Sequence, residues 1–286
     1  PYMELTTFMT EAVIGSVNVM ALFGSLAAGF ISDKWGRRRT VLSASFCFFF
    51  GAVAMSVAFE FWTLMAGRVL VGLGVGVGLM VAPLYVAELS PSSIRGKLVS
   101  ACETSINIGL LLGYCAGFGL SFSPSTFSWR IMLGLSGVPA VLLFLGTLKL
   151  EESPVWLAQQ GRILEATMVV GKASLDFEEA KAKASALYTS ARVRSGEGSA
   201  GCTLRNAFLS FRDSSSTAKK MLLIAVGVAF FQQATGIEAA VYYTPKILVS
   251  MGIDNSTVIF GATIALGVGK LAFTILSSLL LDRAGR

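Results

Sequence analysis

Gly29-Phe30-Ile31-Ser32-Asp33-Lys34-Trp35-Gly36-Arg37-Arg38 closes one long apolar run, and Ser278-Leu279-Leu280-Leu281-Asp282-Arg283-Ala284-Gly285-Arg286 closes another. Both stretches carry the pattern D-[RK]-x-G-R immediately after hydrophobic sequence. A charged turn that occurs twice, each time at the exit of an apolar run, points to a chain built from repeated units.

Outward from these turns, seven apolar stretches are long enough to cross a hydrocarbon core of about 30 Å as helices. They run over approximately 12–32, 41–59, 62–87, 98–120, 131–149, 221–249 and 257–281. Composition agrees. Of 286 residues, 54% are hydrophobic and 14% charged, with a mean hydropathy of +0.70. A soluble domain is about a quarter charged. The expected fold class is an all-α membrane protein with lipid as its solvent.

Basic residues set the orientation. The gap after the first span holds Lys34, Arg37, Arg38 and Arg39, and the next holds none. Arg95 and Lys97 follow the third span, and Arg130 alone edges the fourth gap. Lys and Arg are plentiful over 150–220, Lys246 alone accompanies the sixth gap, and Arg283 and Arg286 close the chain. Basic and basic-poor gaps alternate, which assigns the basic ones to the cytoplasm. The net charge of +6 is thereby a topology signal. No basic stripe interleaved with aromatics is present, so nucleic acid is not expected as a partner.

The chain has no histidine, which removes Ser-His-Asp and Cys-His catalysis and His-based metal sites. Cys47, Cys102, Cys115 and Cys202 form no C-x-x-C pair and read as packing residues. No metal, cofactor or enzymatic activity is expected. The chain opens on Pro1, with no signal peptide before its first apolar run, and its last residues stop right after a span. Both ends are therefore expected to be cuts.

Residues 150–220 form a long connecting segment. Asp176 to Arg194 is charged and Ala-rich, as a solvated helix is; Ser195 to Gly201 reads as a flexible linker. Leu204, Phe208, Leu209 and Phe211 suggest a short amphipathic helix. Three regions result: a helical bundle over 1–150, a cytoplasmic loop with short helices over 151–220, and a helix pair over 221–286.

The repeated turn resembles the signature loop G-x-x-x-D-[RK]-x-G-R-[RK] of the major facilitator superfamily, with Ser278 replacing the leading Gly in the second copy. Further motifs resemble its sugar porter branch. They are Pro83-Leu84-Tyr85-Val86-Ala87-Glu88-Leu89-Ser90-Pro91 with Arg95-Gly96, and Glu152-Ser153-Pro154-Val155-Trp156-Leu157, where the family has Arg at Val155. The third is Gln232-Gln233-Ala234-Thr235-Gly236-Ile237 with Tyr242-Tyr243-Thr244-Pro245. The resemblance covers nearly the whole chain. It implies a twelve-helix fold of which helices two to eight are present, so the 1–150 bundle would lack its first helix. Glu238 stands where the family has Asn, Leu110 where hexose and pentose carriers have Gln, and helix eight carries Lys270. These substitutions are similar to those of plant polyol and cyclitol carriers.

The resemblance implies a multi-pass, monomeric plasma-membrane protein rather than a vacuolar one. It would contact membrane lipid and move a polyol or monosaccharide together with a proton by alternating access. An uncoupled hexose facilitator is the nearest alternative, differing at an acid on the missing first helix. A non-transporting nutrient receptor is a different class, for which 150–220 offers no recognisable signalling domain.

Charged groups within spans are costly and need a role. Arg68, Glu103, Glu238 and Lys270 are such groups. Arg68 either holds a proton-carrying carboxylate, which the resemblance places on the missing helix, or snorkels to the interface. Gln232, Thr235, Glu238 and Tyr242 fall on one side of an ideal helix, giving an amide, a hydroxyl, a carboxylate and a phenol for a polyhydroxylated substrate. Gln233 leaves that stripe, but the resemblance places both glutamines at the sugar. Hydrogen bonding between helices is the other reading of this set. Lys270 is expected to pair with Glu238 or to meet substrate hydroxyls, and Glu103 to serve packing. Asp33, Arg37, Arg38, Glu88, Arg95, Asp282 and Arg286 are the charges that the resemblance assigns to gating salt bridges; positive-inside charge alone is the plainer account. Gly72 with Gly76, Gly74 with Gly78, and Gly109 with Gly113 and Gly117 read as close-packing faces. Asn255-Ser256-Thr257 reads as a helix cap.

Overall fold

A computed structural model describes residues 6–91, 94–122, 127–173, 184–185, 216–253 and 255–284. The side chains at 216, 218, 237, 238, 256 and 281–284 fall outside that description. The helices are α1 (Thr7–Trp35), α2 (Arg37–Ser56), α3 (Phe61–Leu89), α4 (Arg95–Ser121), α5 (Ser128–Leu135) and α6 (Gly137–Leu148). They continue with α7 (Pro154–Gln159), α8 (Ile163–Ala173), α9 (Ser216–Ala234), α10 (Ile237–Ser250) and α11 (Ser256–Ala284). Among the described residues, seven helical stretches are long and apolar enough to cross a membrane. They correspond one for one to the seven apolar runs.

Two of the seven are interrupted. The run expected over 131–149 is α5 and α6, which meet at Ser136. The run expected over 221–249 is α9 and α10, separated at Thr235-Gly236, where Gly236 takes φ +69°. Glycine enters that left-handed region without a Cβ clash, so the chain turns there at little cost. Two helices that apolar periodicity does not single out, α7 and α8, lie at 154–173. A serine cap followed by proline starts α7, with Trp156 N donating to Ser153 Oγ at 3.3 Å and Pro154 in the first turn. The helices expected within 176–194 and 204–211 lie outside the described residues but for 184–185.

The chain divides into two compact units, Pro1–Glu103 with Ser123–Glu197, and Thr104–Phe122 with Gly198–Arg286. In the first unit α3 packs against both α1 and α2, and α2 also packs on α5 and α6. Glycines make these approaches possible. A Cβ at Gly72 would lie 2.7 Å from Met20 Cβ and 2.8 Å from Val17 O on α1, and one at Gly76 would strike the Ala21–Ser25 backbone. On another side of α3, Gly67 and Gly51 face each other where α3 meets α2, and a Cβ on either would lie 3.0 Å from the other's carbonyl. Gly78 and Gly109–Gly113 correct the sequence reading. Among the described residues, a Cβ at Gly78 would meet only the Phe48 ring at 3.9 Å, and one at Gly109 or Gly113 would meet nothing within 4 Å.

Remote side chains satisfy the helix ends. At one end of the first unit, Arg130 Nη1 donates to Ser56 O at 3.2 Å and Ser56 Oγ to Arg130 O at 3.1 Å. The Arg130 guanidinium lies 4.6 Å from the ring centres of both Phe59 and Trp129. Arg130 thus caps a C-terminal carbonyl of α2 and stacks on two rings. Arg130→Ala is expected to destabilise the protein by about 1–2 kcal/mol, with Arg130→Lys intermediate because an ammonium keeps the ring contact without the planar fork. Thermal unfolding in detergent reads this out; equal melting of the three proteins would contradict it. In the second unit, Thr257 N donates to Asn255 Oδ1 at 3.0 Å, so Asn255 is the helix cap expected of it.

Candidate functional site

The D-K-W-G-R-R turn builds the first cluster. Gly36, at φ +95°, reverses the chain between α1 and α2, and a Cβ there would strike the Glu152 carboxylate. That carboxylate occupies the N-terminus of α2, where Glu152 Oε1 accepts from Arg37 N at 2.8 Å and Arg38 N at 3.0 Å. It also accepts from Ser153 N at 3.0 Å. A negative group at exposed helix N–H groups is favourable on hydrogen-bonding and dipole grounds.

Arg37 is 4% exposed. Its Nε and Nη2 donate to the two Glu88 oxygens at 3.1 Å each, a bidentate fork. Nη1 donates to Asp33 Oδ1 at 3.0 Å and to Ser32 O at 3.1 Å. Ser153 Oγ donates to Glu88, Tyr85 OH to Glu151 O, and Trp156 Nε1 to Asp33 O at 2.9 Å. The ends of α1 and α3, the start of α2 and the α6–α7 junction are thus tied at one end of the first unit, which is where the charge alternation brings the basic gaps together.

Among the charges that the resemblance assigns to a gate, Asp33, Arg37 and Glu88 form ion pairs with one another within the first unit. Arg38 does not. Its Nε donates to Thr147 O at 3.1 Å and its Nη2 to Leu148 O at 2.7 Å. The guanidinium caps the C-terminus of α6, where carbonyls lack intrahelical partners. Arg95 is exposed at the start of α4 and stays outside this cluster. Asp282 occupies the position in α11 that Asp33 holds in α1, two residues before the last of a 29-residue helix in each case. Its side chain, and Arg286 altogether, lie outside the described residues. Sequence reasoning used Glu152, Ser153 and Trp156 as family markers and missed their part in the cluster; the signal was the capped E-S-P start of α7. Val155, lacking the family's guanidinium, packs instead against the Trp156–Val170 core. Nearby, Lys172 Nζ donates to Glu151 Oε1 at 2.7 Å, and this bond holds the Glu151 carboxyl below its ordinary range.

The second cluster lies within the second unit, in a narrow cleft between α4, α10 and α11. Leu110 and Tyr114 line it from α4, Val241 and Thr244 from α10, and Thr263, Leu266, Gly267 and Lys270 from α11. Two positions singled out separately in the sequence, Leu110 and Lys270, thus line one wall and another of a single cleft. Gly267 allows the approach, since a Cβ there would lie 3.2 Å from Leu111 and from Tyr114. The Thr244 and Thr263 hydroxyls donate to their own helices, at 2.6 Å to Ala240 O and 2.8 Å to Ile259 O. Each keeps lone pairs for a donor in the cleft. Tyr114 and Thr263 were missed because a single hydroxyl in an apolar run carries no periodic signal, and Thr244 was read only as part of the Tyr242–Pro245 motif.

The helix-seven stripe needs correction. Gln232, Thr235, Glu238 and Tyr242 would share one side of a single helix, but the break at Gly236 interrupts the 100° phase between the first two and the last two. Gln232, Gln233 and Thr235 are exposed near the end of α9, where Thr235 Oγ1 donates to Gln232 O at 2.7 Å. Tyr242 is 49% exposed and is not among the cleft's lining residues. Glu238 is the second residue of α10, and its side chain lies outside the described residues. Arg68 is partly buried in α3.

Seven apolar spans, a repeated charged turn and a cleft among the helices define an integral multi-pass membrane protein. The family described as "Sugar (and other) transporter" matches residues 2–286. "Probable polyol transporter 4" of Arabidopsis thaliana is 40% identical over 99% of this chain and 53% of its own length. "Polyol transporter 5" of the same plant is 39% identical over 99% of this chain and 54% of its own. The chain thus spans about half the length of these relatives. Among solved structures, a proton:xylose symporter XylE bound to 6-bromo-6-deoxy-D-glucose superposes with a TM-score of 0.83 at 26% identity, covering 99% of this chain and 62% of that one. A partially occluded inward-open XylE from E. coli gives 0.77 at 25% identity, with 97% and 63% covered. The chain belongs to the sugar porter family of the major facilitator superfamily and has that superfamily's fold.

Proposed function

We propose that the whole protein is a proton-coupled polyol carrier of the plasma membrane working by alternating access, and that the cleft between α4, α10 and α11 is part of its substrate site. The observation that carries this reading is the meeting of Leu110 and Lys270 in one cleft. An amide at Leu110 would offer a ring hydroxyl both a donor and an acceptor. Leucine offers neither, while the Lys270 ammonium supplies up to three donors from the other wall. The relatives named as polyol transporters agree with that chemistry. Gln232, Gln233 and Thr235, before the α9–α10 break, and Glu238 and Tyr242, after it, are the further residues of the proposed site. For coupling, the support is Arg68 in α3 and the symporter to which the fold is similar. In the gate, Asp33, Arg37 and Glu88 make one anchored block on which changing partners act, with Arg95, Asp282 and Arg286 as the further charges proposed for it.

The test is uptake by the full-length carrier in proteoliposomes. Sorbitol, mannitol or inositol is expected to outcompete glucose, an inward proton gradient to drive accumulation, and Arg68→Ala to abolish accumulation while leaving exchange. Glucose winning the competition, with Glu238→Asn leaving the order unchanged, overturns the polyol assignment. Accumulation indifferent to the gradient overturns the coupling.

A further inference from the structure

Asn107 is 4% exposed in the middle of an apolar span. A buried amide is unfavourable in such surroundings unless it is hydrogen-bonded. Its Nδ2 donates to Thr274 Oγ1 on α11 at 3.1 Å, and that hydroxyl donates in turn to Lys270 O at 2.9 Å. The relay of amide, hydroxyl and carbonyl runs from α4 to the turn of α11 that carries Lys270. Leu110 lies three residues beyond Asn107 on α4, so one end of the relay sits a turn from a residue lining the cleft and the other end is the carbonyl of a lining residue, Lys270. Each bond also fixes the direction of the next: Thr274 commits its single proton to the Lys270 carbonyl and can meet Asn107 only as acceptor.

We propose that Asn107 and Thr274 are positioning residues, which set where the Lys270 ammonium stands in the cleft and so tune the affinity for a polyhydroxylated substrate. This rests on the reading of the cleft as part of the substrate site. Side-chain hydrogen bonds between membrane helices are individually modest, and losing one that acts on binding corresponds to about a threefold change in affinity. Small as it is, the effect has a distinctive dependence. It acts through Lys270, so it vanishes when Lys270 is removed.

The experiment is sorbitol uptake by the full-length carrier, comparing Thr274→Val, Thr274→Ser, Lys270→Gln and the double variant Thr274→Val/Lys270→Gln. Valine keeps the shape of threonine without its hydroxyl, which spares folding; Asn107→Val, with surface expression measured, serves as a second probe. Thr274→Val is expected to raise KM about threefold with Vmax unchanged, Thr274→Ser to match wild type, and the double variant to equal Lys270→Gln alone. A lowered Vmax with unchanged KM, or a full Thr274→Val effect persisting without Lys270, makes the relay merely structural and overturns the inference while the cleft reading stands. A Lys270→Gln carrier with wild-type KM overturns the cleft reading itself, and the inference with it.

Discussion

Glu88→Ala is expected to destabilise the protein by about 3 kcal/mol, the lower end of what removing one partner of a buried ion pair costs. The reason lies in what remains. Arg37 is 4% exposed and cannot turn to water, and the substitution removes both acceptors of its fork at once. Asp33 and the Ser32 carbonyl still accept from Nη1, which keeps the loss from being larger. Ser153 Oγ loses its acceptor as well. Asp33→Ala is the matched control. Its carboxylate side chain is 46% exposed, so the pair is partly screened and its loss is worth about 0–1 kcal/mol. Arg37→Met/Glu88→Leu, which removes the stranded charge along with its partner, is expected to recover most of the stability. Thermal unfolding of the detergent-purified carrier measures all three. A Glu88→Ala protein that melts with wild type, or a double variant worse than the single, contradicts this account.

Gly76→Leu is expected to be at least as damaging, at or beyond the upper end of the roughly 1–3 kcal/mol that overpacking costs. The obstacle is backbone. A Cβ at Gly76 would lie 2.6 Å from Ser25 N and closer still to Ala21 O, so no rotamer change relieves it and α1 and α3 must separate. In lipid, helix association rests on van der Waals packing, without a hydrophobic term between helices to hold a loosened pair together. Gly78→Leu, half a turn further on the same helix, is expected to be mild, because the Phe48 ring at 3.9 Å leaves ordinary contact distance. Helix propensity improves in both variants, so only packing separates them. The readout is folded yield together with melting temperature; comparable losses from the two substitutions would show that the α1–α3 crossing is not where the stability resides.

The seven spans were legible because a run of apolar residues long enough to cross a bilayer has few alternatives to helix, every backbone group needing a partner within its own segment. The repeated D-[RK]-x-G-R turn was legible for a different reason: charge at the exit of a span is sparse, and its spacing survives without any tertiary information. The equal placement of Asp33 in α1 and Asp282 in α11 follows from that repeat. Local chemistry also determined the Asn255 cap, since Asx side chains satisfy the first orphan N–H groups wherever they precede a helix.

The partners of those charges were settled only by the fold. Arg37 and Arg38 are neighbours of one type, yet one forks onto Glu88 and the other caps α6 through Thr147 O and Leu148 O. Successive residues on a helix point about 100° apart, so which of two adjacent guanidiniums meets a carboxylate depends on what stands beside each. The same holds for the glycines. The small-x-x-x-small spacing is common to Gly72–Gly76 and Gly109–Gly113, but only the first pair has a helix against it among the described residues. The sequence by itself determined that the chain crosses a membrane as helices, where its charged turns lie and to which family it belongs. Which side chains meet, including Leu110 and Lys270 across one cleft and Glu152 on the first turn of α2, was decided by tertiary structure, because those contacts join residues more than a hundred positions apart and no periodicity carries information that far.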